Sequence, residues 1–259
     1  MKIREFLTVF NSFEDLETIR KTLPSVVEET KATGAALVVH DCSVRDRAKI
    51  RKFIEGFECD EVFVVFSSRL DQARSRNLAL DLGRTLYAPE YIASIEDDHG
   101  YRPGFIPKMI EAMKTYYGKP APTGMKFGLF TGCLECWKDL VRYEALEDGN
   151  LYPVRDGERT GKVYLGGVNA CCRVAPVRHW DAVLGRFDTD EYPVSGYQPS
   201  QMNLRNYHNG FTGMVIDGGN AMFSVDRVGR GVSQELDKRP YHPKFTKSDP
   251  ILNHDPAGS

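Results

Sequence analysis

Through its first hundred residues the chain alternates between two apolar periods. Ile3 to Phe10 is a β-type run that stops at Asn11-Ser12, and Glu14 to Thr30 then carries Leu16, Ile19, Leu23, Val26 and Val27 at helical spacing, despite Pro24. Ala35 to Val39 reads as a buried strand ending at His40-Asp41-Cys42-Ser43, and Val44 to Gly56 as a helix with Ile50, Phe53 and Ile54 turned inward. Val62 to Phe66 is a third strand, Asp71 to Leu82 a third helix and Tyr91 to Ile95 a fourth strand. Repeated βα units of this length predict an α/β fold, a mostly parallel central sheet flanked by helices. Open sheets of that kind bind ligands beyond the carboxyl ends of their strands, an edge that would collect Asn11, Asp41, Ser67 and the residues after Ile95.

Directly after Ile95 stand Glu96-Asp97-Asp98, then His99-Gly100-Tyr101 and Pro103. Three carboxylates crowded at one strand end repel one another by several kcal/mol at intermediate dielectric, which calls for a cation. A divalent ion holding a substrate diphosphate is the simplest candidate; the bland alternative is a solvated acidic turn capping the helix that starts near Pro103.

Beyond Tyr117 the periodicity fades. Gly118 to Gly124 reads as a connector, and Cys133 to Gly161 is polar and rich in turn signals such as Asp156-Gly157 and Thr160-Gly161. Trp137, Tyr143, Tyr152 and Tyr164 are candidates for a platform under a sugar or another planar group, with core packing as the competing role. From Gly229 to Ser259, glycine, proline and mixed charge cannot assemble a core, so the stretch reads as a tail or flap.

A chain of 259 residues, 41% of them hydrophobic, is long enough for one substantial core. Its net charge of -2 provides no global attraction to nucleic acid or anionic membrane, and the basic run Arg45, Arg47, Lys49, Arg51 and Lys52 reads as the wet face of a helix. No apolar run approaches the ~20 residues of a membrane span, and Met1-Lys2-Ile3-Arg4-Glu5 lacks a signal-peptide core, so a cytoplasmic location is expected. In that compartment the six cysteines are expected as reduced thiols. Zinc bound by Cys133, Cys136, Cys171 and Cys172 would want a second Cys-x-x-Cys that the chain lacks.

The opening strand ending in Asn11, Asp41-Cys42-Ser43 after the second strand, Ala73-Arg74-Ser75-Arg76-Asn77-Leu78-Ala79 in the third helix and Glu96-Asp97-Asp98 resemble, in order and spacing, the nucleotide-sugar glycosyltransferases of the GT-A fold, and among them family two. The likeness runs over roughly residues 3 to 235. It implies one GT-A (Rossmann-like) domain with a nucleotide-binding half (1–125), a smaller acceptor-binding half (126–228) and a tail or lid (229–259). It implies metal-dependent transfer of a hexosyl or pentosyl group from a nucleotide sugar, a UDP-sugar by preference, to an acceptor hydroxyl. Asp41 would accept a base N–H, with helix capping as its other role. The resemblance carries Arg76-Asn77 toward the nucleotide site, where Arg76 would reach the diphosphate, against a surface ion pair with Asp71 or Asp81. Asn11 and Asp97 complete the nucleotide set. Asp98 would ligate Mn²⁺ or Mg²⁺ directly and Glu96 through water or the ribose, with His242 of the tail as a further candidate and His99 a bystander.

Gly166, Gly167 and Asn169 resemble the family's glycine turn beside the donor sugar. Leu184-Gly185-Arg186-Phe187-Asp188 resembles the turn before its catalytic acid, but at the next helix start, where inverting members carry an acidic pair, this chain has Gln198-Pro199. Neither is a general base, so Asp188, Asp190 and Glu191 are the substitutes, Asp190 or Glu191 first. The family's closing-strand histidine is also replaced, by Phe223, leaving His208 and His242 as alternatives. The acceptor is open among a saccharide, a lipid-linked sugar, a protein and a modified nucleic-acid base. The competing classes are a nucleotidyltransferase, which would want a glycine-rich triphosphate loop near the first strand, and a catalytically degenerate nucleotide-sugar-binding module.

Overall fold

The structure, a computed structural model, describes residues 3–12, 16–43, 46–67, 72–121, 124–132, 142–145, 151–155, 158–159, 172–187, 198–216 and 221–225. The first half alternates as its pattern predicts: β1 (Phe6–Ser12), α1 (Leu16–Thr33), β2 (Ala36–Asp41), α2 (Arg47–Glu55), β3 (Val62–Phe66), α3 (Gln72–Tyr87) and β4 (Tyr91–Glu96). β1 pairs in parallel with β2 and β4, and β2 with β3. The strands read as apolar runs because both faces are covered. Phe6, Phe10, Leu37, Val39, Ala93 and Ile95 pack on one side with α1 and α2, and Leu7, Val9, Ala36, Val38 and Ile92 on the other with α3. α3 runs past Leu82, where the periodicity was expected to end, because Gly83 is a packing glycine: a Cβ there would lie 2.5 Å from Leu7 Cδ2.

After β4 come β5 (His99–Tyr101), α4 (Phe105–Tyr116) and β6 (Lys126–Thr131); later β10 (Cys172–Pro176), the short α5 (Val177–His179) running into a π-helical turn (Trp180–Leu184), α6 (Gln198–His208), β11 (Phe211–Val215) and β12 (Met222–Ser224). β6, β10 and β11 extend the same sheet to seven strands, ordered β11-β6-β10-β4-β1-β2-β3, with β10 antiparallel to both β4 and β6. The expected connector after Tyr117 therefore leads into sheet. Between β6 and β10, where turns were expected, β7 (Arg142–Ala145), β8 (Leu151–Arg155) and β9 (Glu158–Arg159) form a separate antiparallel sheet.

β5 is too short for any period to announce it, and it pairs with β12 from the far end of the described chain. Val225 N donates to Asp98 O at 2.9 Å and Arg102 N to Ala221 O at 3.1 Å, so β12 is fastened along the acidic turn and the chain continues from there into the tail. Gly100 permits that pairing, since a Cβ on it would meet the Phe223 ring at 2.3 Å and Ser25 Oγ at 2.6 Å. α4 starts two residues beyond Pro103 and takes its N-terminal cap from another helix: Glu29 of α1 accepts from Gly104 N (2.9 Å) and Ile106 N (3.0 Å). Among the described residues no helix is long and apolar enough to cross a membrane.

Candidate functional site at the carboxyl edge of the sheet

β1, β2 and β4 end side by side, with Ser12 opposite Asp41 and Asn11 opposite both His40 and Glu96. Alternation divides their side chains. Asp41 and Ser12 continue the α1 side of the sheet, whereas Asn11, His40 and Glu96 continue the α3 side.

Asp41 is buried, 1% exposed. Its Oδ1 accepts from Ser43 Oγ at 2.6 Å and, weakly, from Ser43 N at 3.4 Å, a local turn that fixes the carboxylate. Oδ2 makes no hydrogen bond among the described residues. Burial pushes the carboxyl above its ordinary value, and Ser43, Ser12 and the Arg47 guanidinium oppose that shift without cancelling it. Ser12 Oγ makes no hydrogen bond among the described residues either, so its influence on Asp41 is that of a nearby dipole. A buried acceptor left open costs about 1–3 kcal/mol, and the strand end that bears it is where such sheets take ligands.

On the α3 side a chain of neutral groups reaches Asn11. His40 contacts Ser67 Oγ through Nε2 (2.9 Å) and Ser75 Oγ through Nδ1 (2.7 Å), and Ser75 Oγ donates to Asn11 Oδ1 at 3.4 Å. With its proton on Nδ1, His40 donates to Ser75, which is left to donate to Asn11 Oδ1, and Nε2 accepts from Ser67. Burial lowers the His40 pKa to about 4, so the ring is neutral. The outcome is a fixed Asn11 amide whose Nδ2 makes no hydrogen bond among the described residues. The sequence offered His40 only as the end of a strand; its role appears once α3 is folded against β2.

Arg76 is 3% exposed, and its Nη2 donates to Glu96 Oε1 at 2.6 Å, a buried ion pair between α3 and the end of β4. The Phe187 ring lies 5.2 Å from the guanidinium carbon. Asn77, expected to turn toward the nucleotide, instead clamps the Phe187 backbone: Nδ2 donates to Phe187 O (2.8 Å) and Oδ1 accepts from Phe187 N (2.9 Å). Arg205 of α6 holds the same turn through Leu184 O (2.6 Å) and Arg186 O (2.7 Å), with Gly185 at φ +66°. The turn that leads to Asp188 is thus secured from two helices.

In the acidic turn Asp97 and Asp98 are buried; the Asp97 carbonyl accepts from Thr22 Oγ1 at 2.6 Å, which ties the turn to α1. Asp98 Oδ1 and His99 Nδ1 stand 2.6 Å apart, both side chains at most 10% exposed, without hydrogen-bond alignment. His99, expected to be a bystander, is therefore a neighbour of the carboxylate expected to hold the metal. Among the described residues no group of three or more His, Cys, Asp or Glu side chains converges as a metal cage. An octahedral ion bound by one or two carboxylates, phosphates and water does not need such a cage, so an all-oxygen set built on Asp97 and Asp98 fits it.

Asp188, Asp190, Glu191, Gly166, Gly167, Asn169 and His242 lie outside the described residues, as do Cys133, Cys136 and Cys171. Cys42, Cys59 and Cys172 form no disulfide. His208 is exposed at the end of α6, and Phe223 occupies the strand paired with the acidic turn.

Residues 6–123 match the family model described as Glycosyl transferase family 2. No curated protein sequence matches the chain. Among solved structures, Staphylococcus aureus TarS (residues 1–349) in complex with UDP-GlcNAc is similar at a TM-score of 0.59 and 11% identity, over 88% of this chain and 60% of that one. The mannosyltransferase PcManGT from Pyrobaculum calidifontis, in complex with GDP-Man and Mn²⁺, is similar at 0.57 and 14% identity, over 93% of this chain and 60% of that one. GalNAc-T7 with UDP, GalNAc and Mn²⁺ is similar at 0.60 and 12% identity, over 96% of this chain and 47% of that one. The chain thus spans about 60% of the length of the TarS and PcManGT chains, and at these identities the likeness is one of fold. A mostly parallel α/β sheet shared with these structures, and the match over residues 6–123, make this chain a GT-A fold protein that resembles glycosyl transferase family 2.

Proposed function

We propose that the protein is a metal-dependent glycosyltransferase that takes a nucleotide-sugar donor at the carboxyl edge of β1, β2 and β4 and passes the sugar to an acceptor hydroxyl. The observation that carries this reading is the open, buried Oδ2 of Asp41 at a strand end, two strands from the acidic turn Glu96–Asp98, in a chain whose residues 6–123 match a glycosyl transferase family. A fixed carboxylate there accepts the imide N–H of uracil, which favours a UDP-sugar and disfavours a base with a lone pair at that position. Asp98, with Asp97 beside it, would hold Mn²⁺ or Mg²⁺. When bound, that ion supplies charge stabilisation for the departing nucleoside diphosphate.

The chain's own contribution is placement. Asp41 and Asn11 orient the base, the Asn77 and Arg205 clamps hold the turn before Asp188, and Asp190 or Glu191 takes the acceptor proton in place of the acidic pair that Gln198-Pro199 replaces. The tail beyond Val225, which departs from beside Asp98, would cover the donor and exclude water, with His242 available to the ion or diphosphate.

Calorimetric titration of UDP and GDP with and without Mn²⁺ tests this reading. UDP is expected to bind, more tightly with Mn²⁺, and Asp98→Asn is expected to abolish the metal's effect while the protein stays folded. Equal affinity in excess chelator, or no binding of either nucleotide, would sink it. Binding without turnover of any UDP-sugar would support the degenerate-module reading instead.

A further inference from the structure

His40, Ser75 and Asn11 are buried in a row between β2, α3 and β1, and His40 is the centre of the row. Its Nδ1 lies 2.7 Å from Ser75 Oγ and its Nε2 2.9 Å from Ser67 Oγ, while Ser75 Oγ lies 3.4 Å from Asn11 Oδ1. Cys42 Sγ, 3.6 Å from Ser75 Oγ, is a weak partner beside them. At the far end of the row, Asn11 Nδ2 is buried and makes no hydrogen bond among the described residues. Asn11 and Asp41 end neighbouring strands one register step apart. Paired strands run about 4.8 Å apart, so one planar base can meet both the Asn11 amide and the open Asp41 Oδ2.

The position of the ring proton decides which end of the Asn11 amide faces that base. With the proton on Nδ1, the ring donates to Ser75, Ser75 donates to Asn11 Oδ1, and Nδ2–H is turned outward. With the proton on Nε2, the ring donates to Ser67 and Ser75 gives its one hydrogen to Nδ1. Ser75 then faces Asn11 with a lone pair, and the amide has to turn over, donating from Nδ2 to Ser75 and turning its carbonyl outward.

Resting on the proposed function, we infer that His40 is a positioning residue for base recognition: its Nδ1–H tautomer, relayed through Ser75, holds the Asn11 amide with a donor outward beside the Asp41 acceptor. That donor and acceptor complement a base with a ring N–H next to a carbonyl. Uracil has a carbonyl on each side of N3–H, and guanine has O6 beside N1–H. Cytosine and adenine carry a ring lone pair beside an amino group, the reverse order, so the relay separates keto bases from amino bases. The opposite tautomer would set the Asn11 carbonyl against a carbonyl of uracil. Burial lowers the His40 pKa to about 4, which keeps the ring neutral and one of its nitrogens bare at pH 7.

¹⁵N NMR of the histidine rings reads the tautomer without ligand or turnover. The ring signals lost in His40→Gln, or moved in Ser75→Ala, identify His40, and at pH 7 they are expected to show a protonated Nδ1 and a bare Nε2. A protonated Nε2 would overturn the inference. Calorimetry with UDP and Mn²⁺ reads the relay itself. The amide of Gln falls near the position of Nε2 and that of the shorter Asn near Nδ1. His40→Gln should therefore weaken UDP binding about three- to tenfold, the worth of one neutral hydrogen bond, and His40→Asn should recover most of that loss.

In an Asn11→Ala background His40→Gln should weaken UDP no further, because the relay has nothing left to hold. A histidine that only supports the fold would weaken binding by the same factor in both backgrounds. That result overturns the inference, as do unaltered UDP binding by folded His40→Gln and equal losses in His40→Gln and His40→Asn. If His40→Gln does not fold, Ser75→Ala, which leaves the ring in place, takes its part in the same cycle. Wild-type UDP binding keeps the proposed function standing through each of these outcomes, and its absence would remove both.

Discussion

The two ends of the parallel strands differ in how their polar groups are spent. At the foot of the sheet, where β1 and β4 begin, lie two grooves of about 560 and 470 Å³ that share Lys114. Among their polar groups, Lys114 Nζ bonds Glu5 Oε1 at 2.6 Å, and the Arg178 guanidinium lies 4.6 Å from the Tyr117 ring centre. Nearby, Arg4 bonds Gly34 O at 2.8 Å and Glu61 Oε1 at 3.2 Å. Neither groove includes Asn11, Asp41, Arg76 or any acid of the triplet. At the carboxyl edge, Asp41 Oδ2, Asn11 Nδ2 and Ser12 Oγ are buried and make no hydrogen bond among the described residues. Space left where helix ends meet strand starts costs the fold little, but a buried polar atom left open costs about 1–3 kcal/mol each. The edge that carries that cost is the one to associate with a ligand.

A buried histidine stands near each end, and both have pKa values lowered by burial from 6.5 to about 4. His179, near the foot, sits between Asn206 Oδ1 (2.8 Å) and Tyr117 OH (3.3 Å), and the Asn206 bond only partly offsets its desolvation. The folded-state pKa lies below the unfolded one, so as pH falls below about 6.5 the unfolded chain takes up protons first. Stability contributed by each neutral ring is full above 6.5 and is lost progressively down to about 4, roughly 3 kcal/mol per histidine. This is the largest effect we expect. Urea unfolding at pH 7 and pH 4.5 should show His179→Gln and His40→Gln each losing less stability on acidification than the wild type. The comparison sharpens at pH 7: His40→Gln should also weaken nucleotide binding, by releasing the Asn11 amide, whereas His179→Gln should not. Acid sensitivity equal to wild type in both variants would remove the neutral-ring assignment.

The sequence made the N-terminal half legible because buried parallel strands and amphipathic helices alternate there with little interruption. The places where it failed share a cause, which is partnership over long sequence distance. β5 has three residues and exists through β12; β6, β10 and β11 join the sheet although each is short and comes after a stretch with weak periodicity. The same holds at the edge. Asp41 and the acidic turn could be placed from strand ends alone, but the Arg76–Glu96 pair, 20 residues apart, and the Asn77–Phe187 clamp, 110 apart, depend on how α3 meets β4 and the π-helical turn. Resemblance to a family directed Arg76 and Asn77 toward a nucleotide, and only packing reveals that both are engaged with protein. The third helix, expected to end at Leu82, continues through Gly83, where the missing side chain is the room that Leu7 requires.

Asp41 provides the next test in size. Because burial raises its pKa, the ionised carboxylate is held at some cost to the fold, so Asp41→Asn should melt no lower than the wild type at pH 7. Binding should move the other way. Losing a hydrogen bond to a charged acceptor is worth about 1.5–3 kcal/mol, so UDP affinity should fall roughly ten- to hundredfold, and discrimination among nucleoside diphosphates should blur. Calorimetry with UDP, GDP, ADP and CDP, alongside thermal melting, checks both halves. Stability lost together with unchanged UDP affinity would make Asp41 a structural cap and would erase the contrast between the two ends.

The smallest effect belongs to the foot. The Lys114–Glu5 pair is short at 2.6 Å, and the hydrogen bond with Glu5 raises the Lys114 pKa, yet the two side chains are 56% and 46% exposed. Water and salt screen such a pair, and holding two long side chains in one geometry has its own entropic cost. Lys114→Ala should therefore shift the melting temperature by no more than about 2 °C, the difference vanishing in molar salt, with nucleotide affinity unaltered. The measurement matters because Lys114 lines both grooves. If its removal weakened UDP binding as Asp41→Asn is expected to, the ligand would have to be sought at the foot, and buried polar atoms without partners would no longer mark the functional edge of this sheet. An unaltered affinity leaves the grooves as packing space between α4 and the strand starts, where paired surface charges and apolar walls ask nothing of a ligand.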